Sequence, residues 1–272
     1  MNEPTENDLL VKFEQNNIPA YYKDYYRNKR HNFCVTIQKM PYLWNCYLSL
    51  DKIWEQEFEA MQNLSDPSLM FPMTLYMSGH AKMRIAFELG CSACLAEAHS
   101  ILRDAIEAVA HGHRLALNPP LIEVWLKKDD DEMASKSYKQ EFEYEKADRL
   151  FKDLKELHEL WKRFSEFGSH TNLNSMAERF RIETTATHLQ YKCNYTGSQP
   201  EILGPALFEM ILAFNFMEAA LFRVCESRLK LDLKIPGMRR AFDGEKEQVR
   251  RRIITTLKIK QPSVQAAKRS VP

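Results

Sequence analysis

Arg163 and His170 stand seven residues apart in the run RFSEFGSH. On a continuous helix, seven steps of about 100° return to within about 20° of the starting direction, so the two share a face. An imidazole can take or give a proton near neutral pH. A guanidinium can hold a phosphate and stabilise the charge that develops on it. Together they suit metal-independent cleavage of RNA by its own 2′-hydroxyl. Leu160 and Phe167 lie on the same stripe, at the edge of a core. Gly168 is where a helix can end, and His170 would then lie in the following loop. Earlier in the chain, His99, Arg103, Glu107 and His111 recur at steps of four. Arg103 and Glu107 can pair at i, i+4. Flanked by Ala96, Ile106 and Ala110, that stripe falls at a boundary between core and solvent. Such an Arg and Glu can bind an anion and supply a general base. The same two residues also read as a boundary ion pair of little energetic worth.

The segment Arg163-Phe-Ser-Glu-Phe-Gly-Ser-His170 resembles the R-x4-6-H motif of HEPN-superfamily domains. The chain is also similar to a loose group of uncharacterised bacterial helical proteins. These carry a Leu-Arg-x-x-x-Glu helix, here Leu102 to Glu107, and a later Ser-rich segment ending in His, here Ser165 to His170. The resemblance spans about residues 70 to 230. It implies an all-α domain, often dimeric, and a metal-independent ribonuclease of toxin–antitoxin or antiphage systems. Arg163 and His170 would be its catalytic pair, supported by Arg103 and Glu107. Phe164 follows the arginine where those nucleases usually carry a polar residue.

Other candidates carry less. Cys91 and Cys94 form a C-x-x-C, but no second Cys or His pair follows at zinc spacing. They read as small core residues on a helix. His111-Gly-His113 is an isolated H-x-H, and no E-x-x-H falls on the apolar seams, so no metal and no cofactor is expected. Lys127 to Glu132 lacks the Gly and spaced ligands of a calcium loop and reads as solvated. Tyr21 to His31 interleaves tyrosines with cations, a pattern that stacks bases, or else a short amphipathic helix packing its tyrosines inward. From Lys246 to the end there are eight Lys or Arg against one Glu, a local charge of +7. Arg250, Arg251, Arg252, Lys258 and Lys260 therefore form a candidate surface for RNA or an acidic partner; a merely solvated tail is the alternative.

The elements that must position these groups are helical. The pattern predicts helices over about 43–62, 73–89, 91–116 and 140–168, one beginning near Pro200, and a last one over about 240–257. Gly90 is expected to stop the second. Leu95, Ala98, Leu102, Ala105 and Val109 recur at spacings of three and four. So do Ala147, Leu150, Leu154, Leu157, Trp161 and Phe164. Leu203, Leu207, Met210, Phe214, Met217, Leu221 and Val224 extend a full heptad seam. Residues 179–195 alternate with period two and predict a small β-hairpin excursion. The fold class expected is all-α, an antiparallel bundle of four to five long helices. The divisions expected are an aromatic-basic arm over 1–42, a bundle over 43–235, and a basic helix and tail over 236–272.

Composition bounds the rest. Lys plus Arg is 38 and Asp plus Glu is 37, so the net charge of +1 argues against a cationic coat protein, and 44% apolar content argues against a disordered acidic chain. A chain of this length can bury roughly three-quarters of its unfolded surface. Eight glycines argue against glycine-rich cofactor loops. The N-terminal stretch has no secretory pattern, and no run of 18 uncharged apolar residues is found, so a cytoplasmic protein without a membrane partner is expected. Two readings stand: a non-catalytic interaction module with a buried Arg/Glu/His network, or the ribonuclease that the resemblance implies.

Overall fold

In the computed structural model of this chain, residues 18–62, 66–142, 147–168, 180–184, 189–193, 200–229, 232 and 234–260 are described. The architecture is all-α, with one two-stranded ribbon. Helix α1 spans Ala20–Lys39 and α2 spans Pro41–Ala60. The break between them sits at Met40, since Pro41 has no N–H to continue the first helix and is well placed to start the second. Helix α3 (Met70–Cys91) and α4 (Leu95–Leu117) form the most extensive contact among the described residues. Then come α5 (Leu121–Leu126), α6 (Glu132–Phe142), α7 (Ala147–Leu150) and α8 (Lys155–Gly168). Strands β1 (Phe180–Thr184) and β2 (Leu189–Cys193) pair antiparallel, with Phe180 opposite Cys193 and Thr184 opposite Leu189. Helices α9 (Pro200–Leu229) and α10 (Lys234–Lys260) follow.

The apolar seams lie where their periods put them. Leu95, Ala98, Leu102, Ala105 and Val109 are all buried on α4. On α9, Leu203 to Leu221 of the heptad seam are buried and Val224 is partly so. By length and composition α9 could cross a bilayer over Ile202–Glu226, yet 56% of its most apolar window is buried inside the molecule. Helix α10 starts earlier than expected and buries Ile235, Phe242, Val249 and Ile253. It packs along α2 and α9 rather than trailing from the body. An aromatic stack fills the centre. Tyr47 lies on Phe87 with ring centres 4.0 Å apart, and Trp54 lies on Phe214 at 5.4 Å.

Three expected boundaries are corrected. The helix predicted over 140–168 is interrupted: α7 ends at Leu150, and Asp153 takes a left-handed φ of 65° before α8 begins. Leu150, Leu154, Leu157, Trp161 and Phe164 are nonetheless all buried, because the turn preserves their side. Gly90 does not end its helix. The chain turns at Ala93 (φ 62°), where the Cys94 N–H reaches back to the Leu89 carbonyl at 2.9 Å. Cys91 and Cys94 thus flank a turn instead of sharing a helix, and both are buried. Finally, α1 is a full 20-residue helix, and Tyr21, Tyr22, Tyr25 and Tyr26 face outward. The rings of Tyr22, Tyr25 and Tyr26 rest on one another, with centres 5.2 to 6.4 Å apart.

Gly79 and Gly90 serve close helix approach. A Cβ on Gly79 of α3 would stand 2.6 Å from a Val109 methyl and 3.2 Å from the Ala105 carbonyl oxygen of α4. A Cβ on Gly90 would meet Met210 Sδ at 2.9 Å. Gly79→Ala is therefore expected to destabilise the fold by about 2 kcal/mol despite alanine's better helix propensity. Gly244→Ala, where nothing lies within 4 Å, is expected to leave stability unchanged or to raise it by up to about 1 kcal/mol. Guanidinium unfolding of the two variants side by side measures the difference.

Candidate functional site

Arg103 and Glu107 pair across one turn of α4, with 3.8 Å between charged atoms. The Arg103 guanidinium lies 5.6 Å from the centre of the Trp161 ring on α8. One turn earlier, His99 stacks on Phe164 at 5.1 Å. Burial pushes the His99 imidazole down to about 4, and His111 likewise, there helped by Lys128 and Arg114. Both are neutral at physiological pH. Arg163 turns elsewhere. Two residues beyond Trp161, it sits about 200° round α8 and makes an ion pair with Glu209 of α9. Burial raises the Glu209 carboxyl, and Arg163 opposes that rise. The two arginines thus engage different neighbours on different sides of α8. His170 lies outside the described residues, and α8 is described as far as Gly168.

Two buried ionisable clusters among the described residues are ones that spacing did not single out. In the first, Asp51 of α2 accepts from His80 Nε2 at 2.8 Å and from Arg84 Nε and Nη2 at 2.9 and 2.7 Å. Arg84 also reaches Glu55 at 2.5 Å. Because an ionised carboxylate only accepts, His80 must carry its proton on Nε2. Burial alone would raise Asp51, but the hydrogen bonds from His80 and Arg84 outweigh it and hold the carboxyl below its ordinary value. His80 is itself stacked on Trp54 and Phe214, at 5.3 and 5.6 Å.

In the second cluster, Glu57 of α2 faces Glu218 of α9, and Arg239 of α10 reaches both, coming within 3.7 Å of Glu57. The arginine also rests on the Phe222 ring at 3.9 Å. Glu57 is 0% exposed and Glu218 2%. Burial and then the neighbouring Glu218 push Glu57 well above the carboxylate range, against the pull of Arg239. Burial raises Glu218 too, while the hydrogen bond from Glu57 and the charge of Arg239 lower it. The raised Glu57 carboxyl favours a proton on Glu57 beside a Glu218 carboxylate that Arg239 neutralises. A carboxyl pair sharing a proton is acid–base machinery when substrate can reach it. Here it is sealed, and its effect is to fasten three helices. One sequence signal was present: a glutamate inside the most apolar heptad seam needs a buried partner.

Two further features complete the inventory. The end of α10 is an ordered basic surface. Arg250 and Arg251 share Glu247 at 2.7 to 3.1 Å, and Arg252 lies over the Tyr42 ring at 4.1 Å. Hydrogen bonds from those two arginines hold the Glu247 carboxyl at about 2. Lys258 and Lys260 continue the same helix. Among the described residues, no group of three or more His, Cys, Asp or Glu could hold a metal ion. Burial raises the Cys46 and Cys91 thiols to about 12, so neither is a nucleophile at neutral pH.

The carboxyl pair makes a signed prediction. The folded chain keeps the Glu57 proton above the ordinary carboxyl value of 4.5, where the unfolded chain releases it. Its contribution is therefore complete below that value and is lost as pH rises through the raised folded value. Glu57→Gln removes this loss, so its stability relative to the parent is expected to increase from about pH 5 to pH 8. Glu218→Gln leaves Arg239 without its counter-charge and is expected to cost about 3 kcal/mol at neutral pH. Urea unfolding of both variants across that range reads the two effects.

Compared with known proteins, the chain matches no family model, no curated protein and no solved structure.

Proposed function

We propose that this chain is a non-catalytic helical-bundle interaction module that binds RNA through the basic end of α10. One observation carries the reading. Inside the molecule Asp51 is engaged with His80 and Arg84, and Glu57 and Glu218 with Arg239, whereas Arg250 and Arg251 stand exposed on the surface of α10. Arg251 is 76% exposed at its side chain, and Arg250 is 55% exposed. Val249 and Ile253 anchor the helix beneath them, and both arginines are bonded to Glu247 on the same helix. A pre-ordered cationic helix loses less entropy on meeting a phosphate backbone than a tail would. The outward tyrosines of α1, interleaved with cations, offer a stacking surface suited to unpaired bases. In this reading the buried Asp51–His80–Arg84 and Glu57–Glu218–Arg239 networks set helix register, and Arg103 and Glu107 are a boundary pair rather than catalytic groups.

The ribonuclease reading, with Arg163 and His170 as the pair and Arg103 and Glu107 in support, is separated by the same experiment. Fluorescence anisotropy with a labelled single-stranded RNA is expected to show binding that weakens steeply with salt. Arg250→Glu/Arg251→Glu/Arg252→Glu is expected to reduce affinity at least about tenfold and to shrink the salt slope by about 2. Unchanged binding by that variant removes the proposal. The same mixtures in EDTA are run on a denaturing gel. Cleavage that disappears in His170→Ala and Arg163→Ala would establish the enzyme instead.

A further inference from the structure

A cleft of about 260 Å³ opens between the last turn of α4 and the turn that follows α7. It shares no residue with the basic end of α10. From α4 come His113, Arg114 and Asn118; from α7 and its turn come Arg149, Lys152 and Asp153. Its rim is held from several sides. Arg114 donates to the Arg149 carbonyl at 2.7 Å and pairs with Glu141. Arg149 donates to the Gln140 carbonyl at 3.2 Å and stands 3.9 Å from the same Glu141 carboxylate. Arg223 of α9 donates to the Asp153 carbonyl at 2.9 Å, which fixes the residue whose φ is left-handed. Backbone strain of that kind persists only where the surroundings enforce it.

Polar capacity is left over inside this frame. His113 is 2% exposed, and its Nε2 has no hydrogen-bond partner among the described residues. Burial, and then the charge of Arg223, push the imidazole down to about 4, so it is neutral and can donate one N–H without adding charge. The Arg114 Nε is also buried without a partner there. Lys152 lines the cleft, is exposed and forms no ion pair among the described residues. Three cations line the cleft against one carboxylate, Asp153, and Glu141 behind them offsets only part of the excess. The carbonyl end of α4 repels an anion by itself, so the cations must supply the attraction. Asp153 and Asn118 add groups able to hold hydroxyls. The volume lies just below the range of about 300–1,000 Å³ usual for drug-sized ligands, which limits the occupant to a small one.

We propose that this cleft binds a small phosphorylated sugar or polyol, its phosphate on Lys152, Arg149 and the His113 imidazole and its hydroxyls on Asp153 and Asn118. The probe is ribose 5-phosphate, titrated calorimetrically into the full chain at constant ionic strength, with ribose and malonate as controls. Saturable binding of ribose 5-phosphate is expected, with no binding of ribose. Lys152→Glu, a surface change that leaves the core intact, is expected to weaken it at least about tenfold. Arg250→Glu/Arg251→Glu/Arg252→Glu is expected to bind it as the parent does, which keeps this result separate from the RNA experiment. The proposal is overturned by any of three outcomes: no saturable heat up to about 10 mM ligand, unchanged affinity in Lys152→Glu, or malonate binding as tightly as the sugar phosphate.

Discussion

Helix α2 buries two carboxyl groups, Asp51 and Glu57, and the packing of its neighbours follows from how those groups are satisfied. An isolated buried carboxylate is costly enough that it must acquire a proton, a cation or several donors. Asp51 takes the donors and the cation, and so pins α2 to α3 through His80 and Arg84. Glu57 takes the proton, and Arg239 reaches both it and Glu218, so pinning α2 to α9 and α10. Apolar seams alone allow a helix to slide by a turn at modest cost, since one leucine replaces another. A bidentate Arg84–Asp51 contact does not allow it, because a slip of 5.4 Å strands a charge. The same α2 thus holds its register on two sides by two electrostatic solutions.

Polar groups divide sharply between inside and outside. His80, Glu57 and Glu218 are buried, His80 facing Asp51 and the two glutamates facing Arg239. The tyrosines of α1 stand outward, and the cations of α10 stand outward on a helix that buries Val249 and Ile253. Rigid display of charge and ring lowers the entropy lost on contact with a partner. The cleft beside His113 combines both characters, with a buried imidazole and an exposed ammonium in its lining.

What could be read from residues alone was what depends on short range. The seams on α4 and α9 were legible because burial follows a 3.6-residue period, and the Arg103–Glu107 pair because i, i+4 neighbours always meet on a helix. The break at Asp153 was not, because Leu150 and Leu154 keep helical spacing across a turn that is not helical. Gly90 shows the same ambiguity: a glycine that admits Met210 looks like one that caps a helix. The Asp51–Arg84 and Glu57–Arg239 contacts join residues far apart in the chain, and no local period announces them. Arg163 was singled out for its spacing from His170, yet its ion pair is with Glu209, a partner set by the approach of α9.

The position of Arg239 also orders events during synthesis. Helices α3 and α4 are joined by three residues, so they can close on each other as soon as they emerge, at small loop entropy. Glu57 and Glu218 are both made before the arginine that neutralises them. Until α10 leaves the ribosome, the nascent core holds two acids with no cation and an uncovered flank on α2. The interior around Glu57 and Glu218 is therefore completed only when α10 arrives, and a ribosome stalled just short of that arginine would leave both acids without their cation.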